Sequence, residues 1–405
     1  MTSQNRTAVA VLATVFLFNL LGRGSGDTYA VFLLPLEREF GWARSQLTSV
    51  YSMYLLVGAF IAPIAGTLFD RFGPRVTYSA GLLCLSAAFF LASTLGNLWQ
   101  FYLFVGVMIG VGVGLVGMVP ASALLTRWFR ARLSTAIGIA FSATGMGVLV
   151  LVPLSQWLIG QLGWRTTYQV LAWVMLAAVP FAAFAVPWRQ YVAGLQDSVA
   201  GMRGPAAAQG WTVRVALRTR TYWALVQVFF FTATAMFAVL VQAVVYFIDL
   251  GFSPITAATA FGITGMLSVV SVSMSGLVAE RYGYRNTVSA SFAGTAAGVA
   301  ILAAMSVWPS GLLLAAFVLV FGLCMGVRGP IVSSIATRRF AGPKVATIYG
   351  LIYSANAIGA AFGSLLGGVL HDLTGGYLAG FALSACAVAL AVAPFWTVKE
   401  LREFR

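Results

Sequence analysis

Twelve times between residues 9 and 397 the chain runs apolar for 21 to 28 residues, with polar breaks between the runs. A bilayer's hydrocarbon core is ~30 Å thick and takes roughly 20 helical residues to cross. Lipid offers no hydrogen-bond partners, so a run that crosses alone must satisfy its own N–H and C=O groups and therefore be helical. The predicted spans are 9–33, 46–69, 75–95, 98–125, 133–160, 166–187, 221–248, 256–280, 286–307, 310–336, 345–370 and 376–397. Only 8% of residues are charged and 60% are hydrophobic, where an ordinary soluble domain has about 25% charged. The chain is therefore expected to be an all-α membrane protein. Its first run is too long and too early for the core of a cleaved signal peptide, and is expected to stay in the mature protein.

A formal net charge of +14 would suit a nucleic-acid binder, but the placement of the basic residues argues otherwise. If the N-terminus is cytoplasmic, 19 of the 24 Lys and Arg fall in breaks on that side, from Arg6 through Arg71, Arg75, Arg127, Arg130 and Arg203 to Arg405. The opposite side keeps Arg38, Arg44 and Arg165. This asymmetry puts both termini in the cytoplasm. No nucleic acid is implied as a partner; the bilayer is.

The longest polar break, 188–220, lies at the centre and reads as a linker between an N-terminal six-helix bundle, 1–187, and a C-terminal one, 221–405. The two halves repeat with an offset close to 210 residues. "GTLFDRFGPR" from Gly66 is answered by "GLVAERYGYR" from Gly276, and "TRWFRARLSTAIG" from Thr126 by "TRRFAGPKVATIYG" from Thr337. Internal repetition between two six-span halves is what alternating access requires, with two bundles rocking about a site near the membrane midplane.

The duplicated break carries Gly66, Asp70, Arg71, Gly73 and Arg75 in one copy and Gly276, Glu280, Arg281, Gly283 and Arg285 in the other. A glycine lets helices approach, an acid sits at a helix end, and the arginines can pair with it or cap carbonyls at an interface that must open and close. These residues resemble the best-known motif of the major facilitator superfamily, and the resemblance covers nearly the whole chain. It implies twelve transmembrane helices in two pseudo-symmetric bundles, with Asp70 and Glu280 as gate residues.

A narrower resemblance is carried by Trp128, Phe129, Arg130, Arg132, Ala136, Gly138, Ala140, Gly145 and Gly147, by Asp27, and by "HDLTGGY" from His371. These are similar to the signature of the monocarboxylate transporter and oxalate/formate antiporter branch, which implies an organic anion often carried with a proton. The chain departs from that branch in having Thr28 after Asp27 and no basic residue in span eight. The span-five proline and glycine pattern of drug antiporters is absent as well.

Arg23, Asp27 and Arg328 lie within spans. An ionisable group there costs at least ~2.5 to 3.5 kcal/mol, so it normally faces the bundle interior and marks the transport path. Aligning the halves through Pro120 and Pro330 places Met118 opposite Arg328, so the arginine breaks the internal symmetry where an apolar residue would serve. Its structural alternative is to brace neighbouring helices through their carbonyls. Arg23 and Asp27, four apart, share a face and can neutralise each other, which by itself explains their burial. Asn19, Gly22 and Gly26 continue that face as a polar, close-packed stripe suited to lining a cavity.

Together the three charges leave a site of net +1, suited to a monoanion, and a guanidinium offers a carboxylate a two-pronged fork. Protonation of Asp27 would raise the charge and draw in the anion. Tyr51, Tyr54, Gln242, Tyr353 and Asn356 are candidates to complete a substrate site with Arg328 and Arg23; Tyr246 near a span end is more often an interfacial anchor. Cys84, Cys324 and Cys386 stand singly without metal or redox spacing. Neither a cofactor nor a metal nor catalysis is expected. The expected function is secondary transport of a small organic anion, a monocarboxylate, with proton coupling, by a monomer in a bacterial inner membrane. The alternative is a proton-driven exporter of drugs or amphiphiles, which would have no need of Arg328.

Overall fold

The computed structural model describes residues 3–42, 44–129, 132–192 and 211–404. Arg130, Arg203, Arg405 and the side chain of Asp372 lie outside the described residues. Among the described residues there are helices and no strands, and ten helices are long and apolar enough to cross a membrane. Two of these, Ser49–Ala92 and Leu133–Ala185, are each a pair of spans joined at a glycine, Gly73 and Gly163, both with φ +79°. That left-handed region is open to glycine at little cost. Twelve spans result.

The sequence sets where several spans begin. Asn97, Thr219, Ser253 and Ser310 each accept a hydrogen bond from the backbone N–H three residues on, at 2.9 to 3.2 Å. These side chains satisfy donors that a helix start leaves unpaired, and Pro254, which has no donor to lose, follows Ser253. Lipid tails are as apolar as leucine, so the helices associate through close packing rather than through the hydrophobic effect. Gly359, Gly363 and Gly367, spaced by four in span eleven, meet the backbone of Phe230, Thr234 and Ala238 in span seven. A side chain at any of the three would force the helices apart.

Contacts divide the chain into two compact units. One comprises Met1–Ala131, Ala143–Ala216 and Thr337–Ser354; the other comprises Arg132–Ser142, Leu217–Ala336 and Ala355–Arg405. Each holds a short piece from the opposite half of the sequence. In the first unit Phe18, Tyr78 and Trp188 stack, with ring centroids 4.8 Å and 5.6 Å apart along the series. In the same unit Glu39 accepts hydrogen bonds from Trp164 Nε1 at 2.6 Å and from Arg165. The Arg165 and Trp164 donors hold the Glu39 carboxyl below the usual carboxylate range. The second unit is centred on Phe247, Leu302, Phe317 and Phe321, all buried.

Spans four and ten are both broken. Span four runs helical to Val116, turns extended at Gly117 (φ −76°, ψ −155°) and resumes at Met118. Span ten stops at Met325 and resumes at Arg328. The residues aligned by the internal repeat, Met118 and Arg328, each open the second half of a broken helix. Pro120 and Pro330 then fall in a first helical turn, where a missing N–H costs nothing.

Candidate transport site

In the first unit, span one is helical from Ser3 to Asp27, turns at Thr28 and continues from Tyr29 to Phe40. Ser25 Oγ and Thr28 Oγ1 donate back to the carbonyls of Gly22 and Ser25, at 2.9 Å and 2.7 Å. Such back-bonding competes with the helix ladder and favours a bend. Asp27 thus ends one helical segment. Its Oδ2 lies 3.3 Å from Arg23 Nε, and its Oδ1 accepts from the Tyr51 hydroxyl at 3.2 Å. The Arg23 guanidinium lies 5.5 Å from the centre of the Tyr54 ring. Tyr353 is near enough to interact electrostatically with Arg23. Five of the predicted residues, Arg23, Asp27, Tyr51, Tyr54 and Tyr353, therefore form one cluster. The Tyr54 hydroxyl is buried and has no hydrogen-bond partner among the described residues.

The glycines of span one are closely packed against neighbouring helices. A Cβ at Gly22 would come within 3.0 Å of Val116, one at Gly24 within 2.6 Å of Gly147, and one at Gly26 within 2.6 Å of the Tyr54 hydroxyl. These positions are contact surface against spans four, five and two. Asn19 is buried, with its amide donating to Val15 O at 2.9 Å.

Arg328 belongs to the second unit and has quite different surroundings. Its side chain is 1% exposed. Nη2 donates to Met325 O at 3.3 Å, while Nε and Nη1 have no partner among the described residues. The guanidinium lies 4.6 Å from the centre of the Phe292 ring. No described carboxylate pairs with it. Gln242 and Asn356 are also in the second unit, both half-buried. Tyr246 is buried rather than exposed at an interface, and its hydroxyl is spent on Leu302 O at 2.7 Å.

The duplicated motif takes the same form in each unit. Asp70 Oδ2 accepts from the Thr347 backbone N–H at 2.8 Å and from its hydroxyl at 2.7 Å, and Oδ1 accepts from Ala346 N at 3.3 Å. Those donors open the helix Val345–Thr374, so the carboxylate caps a helix start and meets the positive end of its dipole. Glu280 Oε1 accepts from Thr135 N at 3.4 Å, at the start of the helix that begins at Leu133. A Cβ at Gly66 would fall on the Ala346 carbonyl, and one at Gly276 on the backbone of Ser134 and Thr135. Gly283, at φ +87°, makes the turn that Gly73 makes in the first copy.

The arginines of the motif meet aromatic rings. Arg71, Arg75, Arg281 and Arg285 lie over the rings of Phe72, Phe184, Tyr282 and Trp396, at 4.8 to 5.6 Å. The acids accept from backbone N–H groups at helix starts and, for Asp70, from the Thr347 hydroxyl as well.

The family model for the Major Facilitator Superfamily matches residues 12–276 and 271–403. The chain belongs to the major facilitator superfamily. Similar curated proteins include Monocarboxylate transporter 13 of Bos taurus, 27% identical over 92% of this chain and 85% of that protein. Monocarboxylate transporter 3 of Rattus norvegicus is 27% identical over 94% and 77%. The Uncharacterized MFS-type transporter YcxA of Bacillus subtilis (strain 168) is 23% identical over 97% and 96%. Among solved structures, the proton:xylose symporter XylE superposes with a TM-score of 0.77 at 14% identity, covering 98% of this chain and 96% of that one. At that identity the likeness is one of fold alone. Superfamily membership makes the chain a multi-pass integral membrane transporter of small molecules, not an enzyme.

Two contacts made by the candidate residues were not anticipated from the sequence. Ala346 and Thr347 receive Asp70, and Phe292 underlies Arg328. The first could have been found, because the repeat already aligned their segment with the one that holds Thr135. The second gave no signal in an apolar helix.

Proposed function

We propose that this transporter carries a small organic anion, a monocarboxylate, by alternating access together with a proton held at Asp27. One observation carries the reading: Arg328 is shut away from water with no carboxylate partner among the described residues. A cation so placed in a membrane span costs several kcal/mol, and a transported anion would offset that cost. Arg23 and Asp27 cancel, so Arg328 leaves a net charge of +1 that a monoanion matches. Gln242 and Asn356 are assigned to substrate in the unit that holds Arg328, and Tyr51, Tyr54 and Tyr353 in the unit where protonation of Asp27 would free Arg23. The relatives named as monocarboxylate transporters support the same class of cargo.

In this reading residues 1–187 and 221–405 are the rocking halves and 188–220 is the linker. Asp70 and Glu280 release their helix starts when the gate opens. The protein works as a monomer in a bacterial inner membrane with both termini in the cytoplasm.

The test is uptake of labelled mono- and dicarboxylates into proteoliposomes, wild type beside Arg328→Gln, with and without an inward proton gradient. Saturable monocarboxylate uptake that the gradient enhances and the substitution abolishes is expected. A folded wild type that moves no carboxylate overturns the reading and turns the search to amphiphilic drugs.

A further inference from the structure

Spans seven and twelve part where one begins and the other ends. Span seven opens at Arg220, after Thr219 in extended backbone (φ −89°, ψ 142°). Span twelve is helical to Val392, a last turn runs from Pro394 to Thr397, and Val398 is extended (φ −97°, ψ 116°). Deeper along both helices the spans are joined, because Gln227 Nε2 donates to Leu390 O at 2.9 Å. Between that bond and the ends lies a groove of about 310 Å³, with Arg218, Arg220, Trp223, Gln227, Thr397 and Val398 in its wall. All of these residues belong to the second unit.

The groove is positive and has nothing of its own to neutralise it. Arg218 and Arg220 are exposed, no described carboxylate pairs with either, and no Asp or Glu lines the groove. The neighbouring arginines are engaged: Arg285 lies over the Trp396 ring, and Arg402 pairs with Glu403. Depth decides what kind of anion fits. Arg220 is the first residue of a membrane-crossing helix, so the groove sits where hydrocarbon gives way to headgroups. Trp223, one turn in, is 58% exposed, as suits an indole at that level, and Leu390 beside Gln227 is 45% exposed.

A phosphodiester carries one negative charge, and its oxygens accept the paired donors of a guanidinium. Free phosphate would match the arginines but leave the apolar surface beside them bare. A phospholipid covers both. A zwitterionic headgroup would also bring an ammonium up to two arginines with no carboxylate to receive it. We infer that this groove binds the headgroup phosphate of an anionic phospholipid between Arg218 and Arg220, with the acyl chains lying along spans seven and twelve. The site is independent of Arg328 and of the cargo the transporter carries.

The experiment titrates the detergent-solubilised full chain with phosphatidylglycerol or phosphatidylethanolamine of identical acyl chains and counts bound lipids by native mass spectrometry. Wild type should prefer phosphatidylglycerol for its first lipid by about thirtyfold, two basic residues at about fivefold each. Arg218→Gln with Arg220→Gln should remove that preference. Arg6→Gln with Arg189→Gln, which takes the same charge from exposed positions elsewhere, should keep it. Wild type without the preference overturns the inference even if no variant folds. So does a folded Arg218→Gln, Arg220→Gln protein that retains it, and so does an equal loss in the Arg6, Arg189 pair, which would make the attraction one of net charge alone. Displacement of phosphatidylglycerol by an equal concentration of inorganic phosphate would overturn the lipid as the ligand.

Discussion

Arg23 and Arg328 are both arginines within membrane spans, but Arg23 keeps a carboxylate 3.3 Å away on its own helix while Arg328 has none among the described residues. Arg23 retains 35% of its side-chain exposure and sits among tyrosines; Arg328 retains 1% and lies on a phenylalanine. A paired cation can be tolerated in a span for structural reasons alone, since its partner removes most of the electrostatic cost. An unpaired one has a standing demand for an anion. In the proposed reading the two clusters have separate tasks: Asp27 beside Arg23 is assigned the proton, and Arg328 the anion.

The most direct way to break that contrast is to give Arg328 a partner of its own. Cys324 lies four residues before it and within its electrostatic reach, the spacing that separates Arg23 from Asp27. Cys324→Asp should neutralise Arg328 internally and compete with the transported anion. A charged hydrogen bond contributes about 1.5 to 3 kcal/mol, so uptake should fall about ten- to a hundredfold. The melting temperature should hold, because the substitution pairs a charge. Undiminished uptake in a folded variant would mean that the anion does not depend on Arg328.

The reverse manipulation removes the partner of the other arginine. Asp27→Asn leaves Arg23 without its carboxylate and the site without a group to carry the proton. Accumulation driven by a proton gradient should disappear, and uptake without a gradient should fall about tenfold at most, since the partial exposure of Arg23 limits the cost of stranding it. Gradient-driven uptake and exchange, measured in one preparation, separate these effects. Accumulation that survives Asp27→Asn would place the proton elsewhere.

A smaller effect is expected at Tyr54. Its hydroxyl is buried without a hydrogen-bond partner and lies against Gly26. An unsatisfied buried hydroxyl costs about 1 to 3 kcal/mol, so Tyr54→Phe should hold or raise the melting temperature. If the hydroxyl serves substrate, KM should rise about threefold as that bond is lost. A lower melting temperature would show that the hydroxyl has a partner in the protein.

What the sequence disclosed follows from contrast. The spans were legible because lipid enforces long apolar runs, and Arg328 stood out because its repeat partner is Met118. Phe292 did not, since one phenylalanine among thirty in an apolar chain carries no mark. The break at Gly326 and Val327 was equally silent, because a helix interrupted inside protein keeps the composition of a continuous one. The glycines of span one were legible as close-packed positions, but the identity of their partners, Val116 and Gly147 among them, was not. In the duplicated motif the acids were legible as helix-end groups, whereas the rings that meet Arg75 and Arg285, Phe184 and Trp396, lie outside the repeated segments.

The finest test of the comparison is Tyr51→Phe. The Tyr51 ring stacks between Tyr29 and Tyr54, with centroids 5.3 Å and 5.4 Å away, so loss of the hydroxyl leaves the packing in place. It removes one bond to Asp27, and at 3.2 Å that bond is long for a charged acceptor. Asp27 still has Arg23. Gradient-driven uptake should therefore fall only about twofold, less than a typical net hydrogen bond of about 1 kcal/mol would allow. A loss as severe as that of Asp27→Asn would mean that the hydroxyl stands on the proton's route. The first cluster would then be a relay through Tyr51, and its contrast with Arg328 would be one of proton traffic as well as of charge.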